Sequence, residues 1–245
     1  MPNINEEQNQ GPASKRVIAV TFALPEESKD FIAKLTNVRI VRRGSLPVIS
    51  AEYAGKQIAI CHTGVGEESC RTQMTVFLQN TQPDCLVSSG FAGGLDPALH
   101  VGDVIVATNF SDSGLLSKTT GMQFARGTMT TQLVVAEKVA DKAALAEETK
   151  ASAVDMETGI ISELCAPRGI PMLSMRGISD AAGDDLPVSF TIWFDPSTQK
   201  PRVAALLWEL ALHPLKIPAF AKFVRGISFT RLRLTDALAE LIGKI

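Results

Sequence analysis

Three short stretches of this chain place acids against apolar runs, where proton chemistry could be done. In ALPEES (23–28), Glu26 and Glu27 follow the first apolar run. In AVDMETGIISELC (153–165), Asp155 and Glu157 flank Met156 at the head of a helix-period segment. In MRGISD (175–180), Arg176 lies inside an apolar run that ends in Ser179 and Asp180. Carboxylates set in different environments can divide acid and base roles between them. A plainer reading competes at each place. Acids at a helix start cap it and complement its dipole. Asp180, followed by small residues, can start a loop. A buried arginine needs a partner, which an internal carboxylate or an anionic ligand could supply.

A fourth stretch, SSGFAGGLDPAL (88–99), is rich in glycine. Its spacing is neither GxGxxG nor GxxxxGK[ST], which excludes Rossmann and P-loop readings. It is either a tight turn that uses the conformational freedom of glycine, or a place where Ala92 and Gly93 expose backbone to a flat ligand. Metal chemistry finds no support. His62, His100 and His213 are scattered, and Cys61, Cys70, Cys85 and Cys165 show no CxxC pair. Apolar surroundings make the cysteines buried free thiols, which fits a reducing cytoplasm.

The elements that must position these residues alternate in type. RVIAVTFAL reads as a buried strand and PEESKDFIAKL as a helix opened by its proline. LPVISAEYAG and KQIAICHTGVG read as neighbouring strands, and GEESCRTQMTVFLQNT as a helix. DCLVSSG and GDVIVAT are strands, VADKAALAEETK and ETGIISELC are helices, and PMLSMRGISD is the last core strand. Such alternation predicts an α/β sandwich with a mostly parallel or mixed sheet. Ligands of these folds sit beyond the carboxyl ends of the strands. The acids, Arg176 and the glycine turns all fall at such ends, as in a small-molecule site.

The 245 residues, 45% hydrophobic and 20% charged, suit one large domain. A net charge of −2 gives no reason to expect nucleic acid as a partner. Residues 1–15 are polar and are expected to form a disordered tail, neither signal peptide nor anchor. No stretch reaches the roughly 18 apolar residues of a spanning helix. Residues 212–234 carry Lys216, Lys222, Arg225, Arg231 and Arg233 among apolar residues, with no acid. That stretch can lie on an anionic membrane surface, or form packed helices with a solvated basic face.

Taken together, residues 16–185 resemble the nucleoside phosphorylase and nucleosidase superfamily, above all its 5′-methylthioadenosine/S-adenosylhomocysteine nucleosidases. The resemblance rests on ALPEES, SSGFAGGLDPALHVGDVIVAT, VDMETGIISELC and MRGISD in that order. It implies a three-layer α/β/α fold with a central mixed, partly barrel-like sheet. The domain would span 16–196, with 197–245 a helical, basic extension packed on it. It also implies that Glu27 activates water and that Asp180 protonates the purine, with Arg176 and Ser179 beside it. Met156 would pack on the ribose, whose hydroxyls Glu157 would bind next to Asp155. Breaking an N-glycosidic bond needs a protonated leaving base, a stabilised cationic sugar and a placed nucleophile, and these acids suit those needs. No metal or organic cofactor is implied.

Departures from the methylthioadenosine enzymes point to a second resemblance. Phe91 stands where they carry a small polar residue. The stretch from Thr108 to Asp155 is shorter and lacks their adenine-stacking aromatic pair, with Val134 and Val135 nearest in position. Aspartate-first VDME, SDAAGDDLP and the basic C-terminal extension resemble the hopanoid-biosynthesis-associated nucleosidases and phosphorylases. That resemblance implies release of adenine from adenosylhopane, a lipid-linked nucleoside, by a cytoplasmic homo-oligomer, a dimer before a trimer or hexamer. Peripheral contact with the inner membrane surface through 212–234 goes with it. Hydrolysis is favoured because the first glycine turn (63–66) lacks an arginine, while phosphate stays open as a co-substrate.

Overall fold

The computed structural model describes residues 16–245, so the tail expected over 1–15 lies outside the described residues. Strand β1 (Val17–Phe22) runs into helix α1 (Pro25–Ile32). An antiparallel meander follows, made of β2 (Thr36–Arg43), β3 (Leu46–Tyr53) and β4 (Lys56–His62). Helix α2 (Glu67–Asn80) leads to the long β5 (Cys85–Gly94) and then to β6 (Val104–Ala107). The middle holds α3 (Ser113–Lys118) and the short strands β7 (Ala125–Gly127) and β8 (Met129–Thr131). Then come α4 (Val139–Thr149), β9 (Ala153–Asp155), α5 (Thr158–Cys165) and β10 (Met172–Asp180). The last segment has α6 (Phe190–Trp193), the hairpin β11 (Phe194–Asp195) and β12 (Lys200–Pro201), α7 (Val203–Leu212) and α8 (Ile217–Lys244).

The main sheet runs β2-β3-β4-β1-β5-β10-β6-β7, and its centre, β4-β1-β5-β10, is parallel. Alternation along β1 explains the layers. Ile18, Val20 and Phe22 face one core with Phe31 of α1 and Leu234 and Leu238 of α8. Ala19, between them, faces a second core with Met74 and Phe77 of α2 and Ile160 and Ile161 of α5. The expected three layers around a mixed sheet are present. At its far end β5 also pairs with β9, Gly93 opposite Val154, so the sheet branches over its own strand ends.

Four parallel strands put four carboxyl ends on one edge, and the loops that follow them form the site. β2 escaped the sequence reading because TNVRIVRR is exposed almost throughout and shows no buried face. β7 and β8 are three residues each, too short for a period to register. The extension after residue 196 proves heterogeneous. The last turns of α8 bury Leu234, Leu238, Leu241 and Ile242 in the β1 core, while no residue of α7 is fully buried. Leu238→Ala should therefore cost about 2–5 kcal/mol, a core penalty, in urea unfolding. A loss within about 0.5 kcal/mol would place this helix end outside the core.

Candidate active site

Glu27 is the third residue of α1, just beyond the end of β1. Its Oε2 accepts hydrogen bonds from the backbone N–H groups of Ala23 (2.9 Å) and Leu24 (3.4 Å). The capping reading is thus correct as far as it goes, yet the carboxylate also lines a cavity. Gly90 of β5 makes room for it. A Cβ there would stand 3.0 Å from Glu27 Oε2, on backbone with φ +145°. Burial pushes the Glu27 carboxyl up to about 7, more than the nearby Arg176 charge and the two N–H donors lower it.

The β9–α5 junction separates the two acids of VDMETG. Asp155 turns into the protein. Its carboxylate meets Arg176 (Nε 3.0 Å, Nη2 2.9 Å) and accepts bonds from Thr131 Oγ1, Thr158 N and Thr158 Oγ1. Arg176 also donates from Nη2 to Ser88 Oγ and Thr158 Oγ1, which turns that edge of its guanidinium into the protein. Glu157 points the other way. One oxygen accepts from Gly66 N at 2.9 Å, and the second has no protein partner among the described residues. Burial, then the negative charge of Asp155, raises the Glu157 carboxyl well above the ordinary carboxylate range. Gly66 offers that N–H from a left-handed turn, φ +86°.

Asp180 ends β10 after a register shift against β5. Ser179 Oγ donates to its Oδ1 (2.6 Å), and its Oδ2 forms an ion pair with Lys142 of α4. Lys142 is wholly buried, and its ammonium also donates to the carbonyls of Ala181 (2.9 Å) and Asp184 (2.8 Å). A charge without water is tolerable here because all three of its donors are used.

These groups border one cavity of about 550 Å³, within the usual range for small-molecule sites. Glu27, Glu157, Ser179 and Asp180 bring the polar atoms, and Phe91, Ala92, Gly93, Val135 and Met156 also line it. Asp155 contributes only an edge, its carboxylate being engaged behind the wall. Much of the rest of the wall is carbon from the late segment, including Phe190, Trp193, Phe194, Pro201, Phe223 and Ile227. Phe190 sits edge-on to Trp193, ring centroids 5.0 Å apart. Gln199 ties this segment down, accepting from Val65 N (2.7 Å) and donating to Val65 O (3.0 Å). A separate recess of about 10 Å³, the room one water needs, lies among Glu27, Glu157, Phe91 and Arg176. Thr21 and Ser89 also line it, and their buried hydroxyls have no partner among the described residues.

Known proteins share this arrangement of elements. A model of the phosphorylase superfamily matches residues 17–127 and 115–210. The chain belongs to the phosphorylase superfamily. It is 25% identical over 209 residues to the 5′-methylthioadenosine/S-adenosylhomocysteine nucleosidase of Actinobacillus succinogenes, covering 71% of this chain and 89% of the relative. Its fold is similar to that of the corresponding Neisseria meningitidis nucleosidase, solved in complex with methylthio-immucillin-A. There the TM-score is 0.71 at 19% identity, over 94% of this chain and 100% of the other. It is equally similar to the futalosine hydrolase of Helicobacter pylori, with TM-score 0.70 at 16% identity, over 94% and 98% of the two chains.

Within this superfamily fold, one expected contact needs correction. Arg176 does not border the main cavity, because its guanidinium is turned into Asp155, Ser88 and Thr158. The internal ion pair wins over the anionic ligand. Sequence reasoning missed Lys142, because a lysine in VADKAALAEET reads as a surface residue. It also missed the aromatic wall, which shows no helical or strand period.

Removing Lys142 would strand a buried carboxylate. Lys142→Met should cost about 3–5 kcal/mol in urea unfolding, and the double variant Lys142→Met/Asp180→Asn should recover much of that. Strict additivity of the two changes would mean that the pair is not coupled. Glu27 gives the opposite sign. Its native carboxyl holds a proton that the unfolded chain, near 4.5, releases earlier, so stability falls as pH rises from about 4.5 to 7. Above pH 7, Glu27→Gln should then stabilise the fold by about 1–3 kcal/mol, and at pH 4 by nothing measurable. A pH-independent effect in thermal unfolding would contradict this assignment.

Proposed function

We propose that this protein hydrolyses the N-glycosidic bond of an adenine nucleoside. The observation that carries the reading is that Glu27, Glu157 and Asp180, from three separate elements, face one cavity. In the proposed reaction Asp180 takes up a proton from solvent as the nucleoside binds and passes it to N7 of the base, which restores the carboxylate paired with the Lys142 ammonium. The C1′–N9 bond then breaks toward its nitrogen, leaving positive charge on the sugar. Glu157 binds the ribose hydroxyls through its free oxygen. A carboxylate disfavoured by burial gains most when a cation develops beside it. A water in the recess between Glu27 and Glu157 attacks C1′ and passes a proton to Glu27, whose carboxyl near 7 suits that task at neutral pH. Recess volume favours water over phosphate, which is several times larger.

The 5′ substituent is the finer question. The names of the relatives support methylthioadenosine and S-adenosylhomocysteine as substrates. The wall of Phe190, Trp193, Phe194, Phe223 and Ile227 instead favours a larger apolar arm, such as that of adenosylhopane. The charged homocysteine of S-adenosylhomocysteine would lose its hydration against that wall. Adenine release should follow the order adenosylhopane, methylthioadenosine, S-adenosylhomocysteine, with about 100-fold in kcat/KM between the last two. Phosphate should not accelerate any of them. Asp180→Asn and Glu27→Gln should each lower kcat by about 10²–10⁴-fold. Unchanged adenine release by Asp180→Asn would overturn the mechanism, and a sugar 1-phosphate product would overturn hydrolysis. A preference for S-adenosylhomocysteine would remove the apolar arm from the account.

A further inference from the structure

Helix α7 reads VAALLWELAL, nine apolar residues and one acid, and none of its residues is buried. The corner into α8 continues this surface: Leu207 is 63% exposed, Trp208 68% and Leu215 94%. Water is a poor neighbour for so much contiguous carbon, which marks an interaction face. Its charge says what kind. Residues 203–229 hold Lys216, Lys222 and Arg225 against one acid, Glu209, in a chain whose net charge is −2. Glu209 is already paired with Lys216, at 2.7 Å. Lys222 and Arg225 on α8 form no ion pair among the described residues, and alternate with Phe223 and Ile227 of the cavity wall.

We propose that the corner formed by α7 and the first half of α8 docks on an anionic lipid bilayer, and that an apolar substrate arm reaches the cavity from that bilayer. Arginine, lysine and an exposed tryptophan around an apolar helix suit the interface of such a membrane. Spanning does not fit. No single helix among the described residues is long and apolar enough to cross a membrane, and α7 and the helix after it are bent by 108°. At ten residues α7 is about 15 Å long, half a hydrocarbon core of about 30 Å. A second copy of the same face fits poorly too, because it would bring like charges together. The surface differs from the 212–234 stretch expected from sequence: it begins at 203, and Thr230 and Leu234 are buried. Delivery of the arm rests on the proposed nucleosidase reading, whereas docking does not.

Vesicle co-sedimentation of the full chain tests docking without any reaction. The protein should pellet with phosphatidylcholine vesicles holding about 30% phosphatidylglycerol and stay in solution with phosphatidylcholine alone. Leu207→Glu/Leu215→Glu and Lys222→Glu/Arg225→Glu, none of them at cavity-lining positions, should each weaken binding about tenfold or more. Their adenine release from soluble methylthioadenosine should match that of the unmodified protein. A protein that ignores anionic vesicles would overturn docking, as would a dimer that Leu215→Glu dissolves in place of vesicle binding. Delivery is read from a vesicle-embedded lipid nucleoside. The Lys222→Glu/Arg225→Glu variant should cleave it at least tenfold more slowly, while cleaving the detergent-dispersed form normally. Equal rates on vesicles would overturn delivery alone.

Discussion

A guanidinium buried in a parallel sheet must find a carboxylate, and much of the site depends on how this chain meets that need. Arg176 is 2% exposed on β10, and Asp155 reaches it from the β9–α5 junction. Their bond fixes where α5 begins relative to the central strands. It also fixes what the next acid can do. With Asp155 held inward and Thr158 bonded to it, Glu157 is left facing the cavity and the N–H of Gly66. Losing either partner would strand a buried charge, at a cost of about 3–5 kcal/mol, and would release the junction that aims Glu157.

The three cavity acids differ in what surrounds them, and their proposed roles follow from that difference. Asp180 has a buried ammonium and a serine hydroxyl on its two oxygens. Glu27 has two backbone donors on one oxygen and apolar burial around it. Glu157 has one backbone donor and a second acid, Asp155, close behind. Acids so unlike in environment can divide proton donation, proton acceptance and charge stabilisation among them. Burial that raises Glu27 and Glu157 destabilises the folded state above neutral pH. Such strain is expected of a site whose carboxylates gain a cationic partner only during reaction.

Local signals made part of this legible in the sequence. Glu27, Glu157 and Asp180 each break an apolar pattern at a strand end, and the parallel sheet order brings such ends together. Apolar periodicity also located β1, α2, β5, α5 and β10. What stayed hidden depends on distant partners. Lys142 meets Asp180 across 38 residues, and nothing in its own helix announces that contact. The choice of Asp155 over an anion for Arg176 rests on Ser88 and Thr158 as well, residues that look ordinary in sequence. Most of the aromatic wall, Phe190, Trp193 and Phe194, comes from a short helix and a hairpin of two-residue strands, too brief for any period to register.

The central claim is that these three acids hold an adenine nucleoside and stabilise positive charge on its sugar. Equilibrium binding of two uncleavable adenine-nucleoside analogues tests it most directly, one with a cationic nitrogen in the sugar ring and one with a neutral carbon ring. The cationic analogue should bind at least about 100-fold more tightly, as transition-state mimics do, and Glu157→Gln should erase most of that difference. Equal affinity for the two, or no binding of either, would contradict the account.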